Sequence, residues 1–397
     1  MGFRSYPRLY FELLFMGLSI MMGMSLSGSF LPLLAEDLDP SGVLVGLVVS
    51  AWFLSRLFME VPAGIVSDRV GRRKLFLVGV GISVLGSFLC AQARTIHLLI
   101  LGRGVWGFGA ALFFMNSTAL IIDLFESKAR GRALGLFNGI ESVGNVIGAP
   151  IGAFLVNVLG YYSHVFYVTV ILTTICFILA ITSKSFKETK TKREAASSLS
   201  TNEILRNLRS GGIITICTYS FTSALIWSGL FSTILQLYFS IDLSFPLEYT
   251  SLVLSARTIG NIVAAVGASP LAERFGRRQV VAAGFIMSGV SLLVFAVSSS
   301  LQVFTIMALF ESFGQSLAGN TLTVLLADIV PPSVRGGAIG LQRTFMDMGG
   351  FIGPLALILV YSSLGSRTAF LVGVVIEVMN IVLLIMMREK LKVRETV

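Results

Sequence analysis

Long apolar stretches, separated by short polar joints, follow one another along the whole chain. A helix that crosses the hydrocarbon core of a bilayer needs about 20 mostly apolar residues, and each stretch is of that order. The pattern therefore predicts twelve transmembrane helices, near residues 9–34, 43–66, 75–94, 97–122, 133–158, 163–183, 211–239, 248–270, 279–298, 301–327, 337–361 and 366–387.

The longest polar stretch lies between the sixth and seventh predicted spans. It reads KSFKETKTKREAASSLSTNEILRNLRS, residues 184–210. We interpret it as a solvated cytoplasmic linker. It divides the chain into an N-terminal six-helix bundle, residues 1–183, and a C-terminal six-helix bundle, residues 211–397.

Composition agrees with a protein whose surroundings are mostly lipid. Of the 397 residues, 55% are apolar and only 13% are charged, about half the charged fraction of a typical soluble domain. The net charge of +9 could suggest nucleic acid, but a nucleic-acid site needs a clustered basic face, and here the basic residues lie between apolar runs. Three cysteines and two histidines, all in or beside spans, give neither a disulfide framework nor metal-ligand spacing.

The basic residues fall on one side of the predicted membrane. When the joints are assigned alternately to the two sides, most of the 30 lysines and arginines share one side, whereas only Arg94 and Arg367 fall in joints on the other. Because an excess of lysine and arginine marks cytoplasmic loops, both termini are expected in the cytoplasm. We expect a multi-pass protein of the plasma membrane.

The second half of the chain repeats the first at an offset of 205 residues. RVGRR (69–73) matches RFGRR (274–278), and RGRALGL (130–136) matches RGGAIGL (335–341). At the same offset Asp37 meets Asp242, Gly79 meets Gly284, Gly109 meets Gly314, Asp123 meets Asp328, Gly144 meets Gly349 and Gly148 meets Gly353. Parallel duplication of six spans is typical of secondary transporters, so we predict an all-α membrane protein of two pseudo-symmetric six-helix bundles.

The joint between the second and third spans, GIVSDRVGRRK (64–74), resembles the signature of the major facilitator superfamily, G-x-x-x-D-R-x-G-R-[RK]. The matching residues are Gly64, Asp68, Arg69, Gly71, Arg72 and Arg73. Its second copy, SPLAERFGRR, has Ser269 for the glycine and Glu273 for the aspartate. The resemblance covers essentially the whole chain.

Two further segments resemble motifs of the 12-span drug:proton antiporters in this superfamily. LILGRGVWGFGAA (99–111) is similar to the fourth-span motif R-x-x-Q-G-x-G-A-A, with Trp106 in the glutamine position. GNVIGAPIGA (144–153) is similar to the antiporter motif G-x-x-x-G-P-x-x-G, but Ala149 intrudes and Pro150 comes one place late. That departure weakens the implication of antiport.

The resemblance implies a cytoplasmic gate. In the family the motif's aspartate, here Asp68, contacts the eleventh span when the transporter faces outward, and Arg72 or Arg73 would pair with Asp123. An aspartate at such a helix end can accept hydrogen bonds from the N-terminal amides of a neighbouring helix. The alternative is that these arginines only enforce the positive-inside topology.

Charges inside spans are functional candidates, because each costs about 2.5–3.5 kcal/mol on insertion scales. Arg56 and Glu60, like Arg343 and Asp347, stand four residues apart and can neutralise each other on one helix face. Four charges have no such neighbour: Arg103, Arg257, Glu141 and Glu311. For Glu377 in the twelfth span the sequence suggests no role.

The family's cavity is lined by spans one, four, seven and ten, which places Arg103 and Glu311 beside it. We therefore expect Glu311, or failing that Glu141, to carry a coupling proton, with Arg103 tuning it. A structural ion pair between Glu311 and Arg257 would give the same pattern. Aromatic and amide residues in these spans are the candidates for substrate binding, although such residues are also common in packing: Trp106, Asn116, Trp227, Gln315 and Asn320.

A proton-driven exporter of drug-like or apolar small molecules fits these features best. The alternative is a symporter or facilitator for a sugar, organic acid or other metabolite. A sensor would need an appended soluble domain and an enzyme a polar catalytic cluster, and neither pattern is found in the sequence, so we expect no enzymatic activity. We expect a small-molecule substrate, the proton gradient as the energy source and no cofactor. We expect no nucleic-acid partner, and the resemblance to the family implies a monomer.

Overall fold

The computed structural model of the chain describes residues 7–188, 211–330 and 335–386. Helices occupy nearly all of these residues, and no β-strand occurs among them. The first half contains α1 (Arg8–Leu26), α2 (Leu31–Leu38), α3 (Gly42–Val70), α4 (Arg72–Ala91), α5 (Ile96–Leu124), α6 (Ser127–Leu159), α7 (Tyr162–Thr182) and α8 (Lys184–Glu188).

The second half begins with a span that changes its helical type along its length. It consists of α9 (Gly211–Ile226), the π-helix π1 (Trp227–Ile234), the single turn α10 (Leu235–Leu237) and the π-helix π2 (Tyr238–Asp242). The remaining helices are α11 (Leu247–Phe275), α12 (Arg277–Val297), α13 (Leu301–Ile329) and α14 (Arg335–Met386).

Among the described residues, ten helical segments are long and apolar enough to cross a membrane. The last of them, in α14, is two spans in one, because Gly365 breaks it with non-helical dihedral angles (φ 83°, ψ 168°). Helix α13 has 29 residues, as many as α5, but is less apolar because of residues such as Glu311 and Gln315. With α13 included and α14 divided, the segments number the predicted twelve.

The described chain forms two compact units. Unit 1 holds α1–α8 together with Pro246–Ser251, and unit 2 holds the helices from α9 to Phe245 and from Leu252 onwards. In unit 1, α4 and α5, α3 and α5, and α1 and α6 pack together; in unit 2, α12 packs on α13, and α14 on both α9 and α12. Apart from α8, the predicted linker 184–210 lies outside the described residues.

The backbone carries the 205-residue repeat as plainly as the sequence does. Four described glycines have positive φ angles, and they form two pairs at this offset: Gly71 (102°) with Gly276 (88°), and Gly160 (75°) with Gly365 (83°). Both pairs lie where one helix ends and the next begins. Side chains with a Cβ rarely adopt such angles, so the same two turns in each half are made with glycine.

Glycines also allow a close helix crossing at equivalent places in the two units. A Cβ added to Gly79 or Gly109 would collide with the backbone of the other, and the same is true of Gly284 and Gly314. These pairs join α4 to α5 and α12 to α13, and they too are 205 residues apart. Small residues let helices approach closely in lipid, so the two units share one packing solution.

The first and seventh spans differ more than the repeat predicts. The first is interrupted between α1 and α2, whereas the seventh stays helical through π1 and π2. In the fifth span, Gly144 and Gly148 approach the carbonyl groups of Leu18 and Met22 in the first span. Their counterparts in the eleventh span, Gly349 and Gly353, approach the carbonyl groups of Phe221 and Leu225 in the seventh. These carbonyl groups are 203 residues apart in the sequence, whereas the glycines are 205 apart. A π turn closes its hydrogen bond over one more residue than an α turn, so π1 and π2 together accommodate two extra residues.

The turn at Gly160 gives a first test. Gly160→Ala should lower the stability of the protein in detergent by about 1–2 kcal/mol, because the left-handed conformation is costly for any residue with a Cβ. No neighbouring atom would meet the new methyl group, so the effect reports conformation alone. The measurement is the midpoint of thermal unfolding in detergent.

The matched control is Gly135→Ala on α6, where the added methyl group also enters open space but the backbone is helical. That change should be neutral or stabilising by up to about 1 kcal/mol. Equal shifts in the two variants would contradict the conformational explanation.

Candidate functional site

The signature joint places an ion pair at one end of unit 1. Gly71 turns the chain between α3 and α4, and Arg72 begins α4. The Arg72 guanidinium lies 2.5 Å from Asp123 Oδ2 and donates a hydrogen bond to the Ala119 carbonyl at 2.8 Å. Asp123 is near the end of α5, so the pair fastens α4 to α5.

The structure describes only some of the other predicted gate residues. The side chains of Gly64, Asp68 and Arg69 lie outside the described residues, and their gating role stays a prediction. Arg73 follows Arg72 in the first turn of α4. Its Nε is buried, and the described residues include no hydrogen-bond partner for it.

Glu311 forms the clearest charged contact inside a span. It is completely buried and pairs with Arg257: the guanidinium Nε donates to Oε2 at 2.9 Å and Nη2 donates to Oε1 at 3.5 Å. Each residue stands ten positions after the start of its helix, about 15 Å along the axis and hence near the middle of a hydrocarbon core of about 30 Å. The pair joins α11 to α13 within unit 2.

Glu141 is a carboxylate within a span of unit 1 that has a buried oxygen without a described hydrogen-bond partner. It lies on α6 and is 8% exposed, and no hydrogen bond from a described residue reaches its buried Oε1. Its Cγ faces Gly17 on α1. A buried carboxylate without partners is costly, which makes Glu141 a candidate for a group that binds a proton or a cation.

Arg103 and Trp106 stand together on α5. Arg103 is 8% exposed and donates a long hydrogen bond, 3.4 Å, to the Val48 carbonyl. Its guanidinium carbon lies 5.4 Å from the centroid of the Trp106 ring, within the range of a cation–π contact. Trp106 itself is fully buried and faces Gly86, where no Cβ would fit. The described contacts of Arg103 do not include Glu141.

Asn116, a predicted substrate residue, serves as a link between helices. It is fully buried; its Oδ1 accepts a hydrogen bond from Ser67 at 2.6 Å, and its Nδ2 donates to the Leu112 carbonyl at 2.7 Å. The Ser67 contact joins α3 to α5. All these contacts are internal to unit 1.

Gln315 belongs to a buried cluster of polar side chains that the sequence did not predict. Its Oε1 accepts hydrogen bonds from Tyr219 at 2.9 Å and Ser223 at 2.8 Å, and its Nε2 donates to Glu377 at 2.5 Å and Ser288 at 3.2 Å. We call this group the Glu377 cluster; its members are Tyr219, Thr222 and Ser223 on α9, Ser288 on α12, Gln315 on α13, and Glu377 and Asn380 on α14.

Two of the predicted substrate residues are exposed. Trp227 begins π1 and is 40% exposed. Asn320 lines a small cavity of about 60 Å³ in unit 2, with Glu273 and Arg277 of the repeated joint also in its wall. Asn320 therefore lies beside charged residues of this joint.

Sequence reasoning missed Glu377 because a lone acid in an apolar span gives no hint of its partner. Two signals were nevertheless present. Asn380 follows Glu377 by three residues, and Tyr219, Thr222 and Ser223 recur at the spacing of one helix face. Both indicate polar faces within the membrane.

The relation of this chain to known proteins agrees with the motifs. Residues 13–243 and 216–396 both match the model of the Major Facilitator Superfamily. The chain belongs to the major facilitator superfamily. It is therefore a multi-pass membrane protein of a transporter family, and the predicted fold class is confirmed.

Curated superfamily relatives include proteins named for drug resistance. The chain is 24% identical to quinolone resistance protein NorA of Staphylococcus aureus over 339 residues, 85% of each protein. It is 35% identical to multidrug resistance protein Stp of Mycobacterium tuberculosis over 138 residues, 33% of this chain and 26% of that one. Both agree with the resemblance to the drug:proton antiporter type.

Solved superfamily structures share the fold. A bacterial homologue of the human lysosomal transporter Spinster superposes with a TM-score of 0.79, covering 98% of each chain at 15% identity. At this identity the likeness shows the fold alone.

The ion pair at the joint can be tested by a double-mutant cycle. We expect Arg72→Ala and Asp123→Ala to couple by about 1 kcal/mol, because both side chains are only partly exposed, 19% and 12%, and partly shielded pairs exceed the median for surface pairs. The readout is thermal stability in detergent.

The control pairs Asp123→Ala with Arg132→Ala, a change at an exposed arginine. That combination should be additive. A coupling between Arg72 and Asp123 no larger than the control's would show that the contact adds nothing to stability.

Proposed function

We propose that this protein is a proton-coupled exporter of drug-like or apolar small molecules, located in the plasma membrane with both termini in the cytoplasm. Its two bundles would give the cavity access to each side of the membrane in turn. The observation that carries the proposal is the buried Arg257–Glu311 ion pair near the middle of two spans. The alternative, a symporter or facilitator for a metabolite, is an outcome of the test below.

The pair can respond to a proton because its attraction depends on the charge of Glu311. Removing one charge of a buried ion pair costs about 3–5 kcal/mol, since the partner is left uncompensated. Protonation of Glu311 does this reversibly: the carboxylate becomes a neutral acid, and the hold of α11 on α13 weakens. A group of this kind couples proton binding to helix movement.

Arg257 also has a second partner that does not depend on protonation. Its guanidinium carbon lies 4.5 Å from the centroid of the Phe231 ring in π1. A cation–π contact in a desolvated place contributes about 2 kcal/mol, so Arg257 would keep partial support when Glu311 is neutral. We infer that the change on protonation is passed to π1 and thus to the seventh span.

The substrate class is supported by NorA, which is named for quinolone resistance, and by the exposure of Trp227. An exposed indole in the seventh span suits a large flat molecule better than a sugar, which needs many hydrogen-bonding groups. Trp106 and Asn116 are buried among their own neighbours, so we expect them to act on substrate only through packing.

The decisive experiment uses purified protein in liposomes with an imposed pH gradient and the fluoroquinolone norfloxacin as probe. The wild type should move norfloxacin against its concentration when the gradient is present. Glu311→Gln should reduce gradient-driven movement to the level of empty liposomes while exchange of labelled for unlabelled norfloxacin continues, because only the titrating charge is lost.

Glu126→Gln, at an exposed acid before α6, is the control and should behave like the wild type. A labelled sugar and a labelled organic acid are run in parallel. If they move with the gradient and norfloxacin does not, the protein transports metabolites instead. If every solute moves equally without a gradient, proton coupling is wrong.

A further inference from the structure

Glu377 is a buried acid that the proposed coupling does not use. It is 1% exposed, and all its contacts are with neutral donors: Ser288 and Gln315 donate to Oε1 at 2.8 and 2.5 Å, and Asn380 donates to Oε2 at 3.2 Å. The described residues provide no cation in contact with it. A carboxylate that is stabilised only by neutral dipoles inside a membrane is energetically costly.

The Glu377 cluster lies next to the Arg257–Glu311 pair. Gln315 follows Glu311 by one turn of α13, so the two side chains share a helix face. Gln315 contacts both Tyr219, at 2.9 Å, and Glu377, at 2.5 Å, and Glu311 one turn away holds Arg257. The two acids therefore occupy one electrostatic neighbourhood in unit 2.

The charge balance of this neighbourhood favours one bound proton. The charged and titratable groups around Glu377 are Tyr219 of α9, which shares Gln315 with it, and Glu311 of α13, which pairs with Arg257 of α11, while α12 contributes the neutral Ser288. If both acids were ionised, one cation would stand against two anions. Like charges in one low-dielectric interior repel each other, so this arrangement favours a proton on one of the two acids.

The contacts decide which acid this is. Glu311 receives two hydrogen bonds from a guanidinium, which stabilise its ionised form. Glu377 lacks such support. We propose that Glu377, rather than Glu311, holds the proton while Arg257 is paired with Glu311. Glu377 is then a second proton-binding group of unit 2.

The cluster is suited to hold Glu377 in either state. Gln315 and Asn380 can only donate through their amide nitrogens, but the Ser288 hydroxyl can donate or accept. A neutral Glu377 can therefore donate to Ser288 Oγ and still accept from the amides with its remaining lone pairs. The step takes one proton from the aqueous phase and changes no other bond.

The first half of the chain shows that a six-helix bundle does not need this cluster for packing. At the 205-residue offset, the positions of Arg257, Glu311, Gln315 and Glu377 are taken by Trp52, Trp106, Ala110 and Leu172. Unit 1 fills the corresponding sites with apolar side chains, whereas unit 2 keeps two acids. Well-packed apolar residues commonly match or exceed buried charges in stability, so retention of the acids points to a role in proton handling.

The inference rests on the proposed proton coupling but can be tested without transport. Infrared difference spectra of the purified protein, recorded between low and high pH in H₂O and D₂O, detect the carbonyl band of a protonated carboxyl group. We expect Glu377→Gln to remove one titrating band that the wild type shows. Glu311→Gln should keep a titrating band, because Glu377 is still present, but over a different pH range, because the neighbouring anion is gone.

Persistence of every titrating band in Glu377→Gln, or loss of the band in Glu311→Gln instead, would overturn the proposal. Glu126→Gln, at an exposed acid, gives the spectrum of a folded protein lacking an unrelated carboxyl. If Glu377→Gln fails to fold, Glu377→Asp replaces it: the titrating band should shift in frequency, and an unshifted band would refute the assignment. Gradient-driven norfloxacin transport that persists in Glu311→Gln would contradict the proposed function alone and leave this result untouched.

Discussion

A charge inside the hydrocarbon core must be compensated by its own neighbours, and the chemistry of this protein depends on how that is done. Glu311 is compensated by a guanidinium, Glu377 by three neutral donors, and the buried Oε1 of Glu141 by none of the described residues. The three acids thus differ in how strongly their surroundings favour the ionised form. In the proposed function, such a gradation would let the acids exchange protons at different stages of the transport cycle.

The two halves share a scaffold but divide the chemistry unequally. Glycine turns and glycine crossings occur in both at the same offset. The buried charges of unit 2, by contrast, have no counterpart: the unit 1 positions that correspond to Arg257, Glu311, Gln315 and Glu377 are apolar. Duplication supplied the framework twice, and side chains buried within it were then free to differ because helix packing in lipid depends mainly on small residues and close contact.

Much of the fold could be predicted from the sequence, because hydropathy and repetition are properties of single stretches. Twelve spans and the family followed from such patterns. The site was predicted less well, since a partner on another helix leaves no local signal. Arg72 and Arg73 were equal candidates for Asp123 until the turn of α4 placed Arg72 against it. Glu377 gained a partner only when α9, α12 and α13 were brought around it.

The π-helical turns of the seventh span explain how the two halves can differ in length inside the membrane. Two additional residues in a regular helix would rotate everything beyond them by about 200°, since each residue turns the chain by about 100°. Instead, the wider turns of π1 and π2 accommodate the two additional residues. Asp242 therefore still corresponds to Asp37 at the 205-residue offset. The seventh span thus holds two more residues than the first inside the membrane, and the 205-residue offset is kept beyond it. A comparison of loop lengths alone would not reveal this difference between the halves.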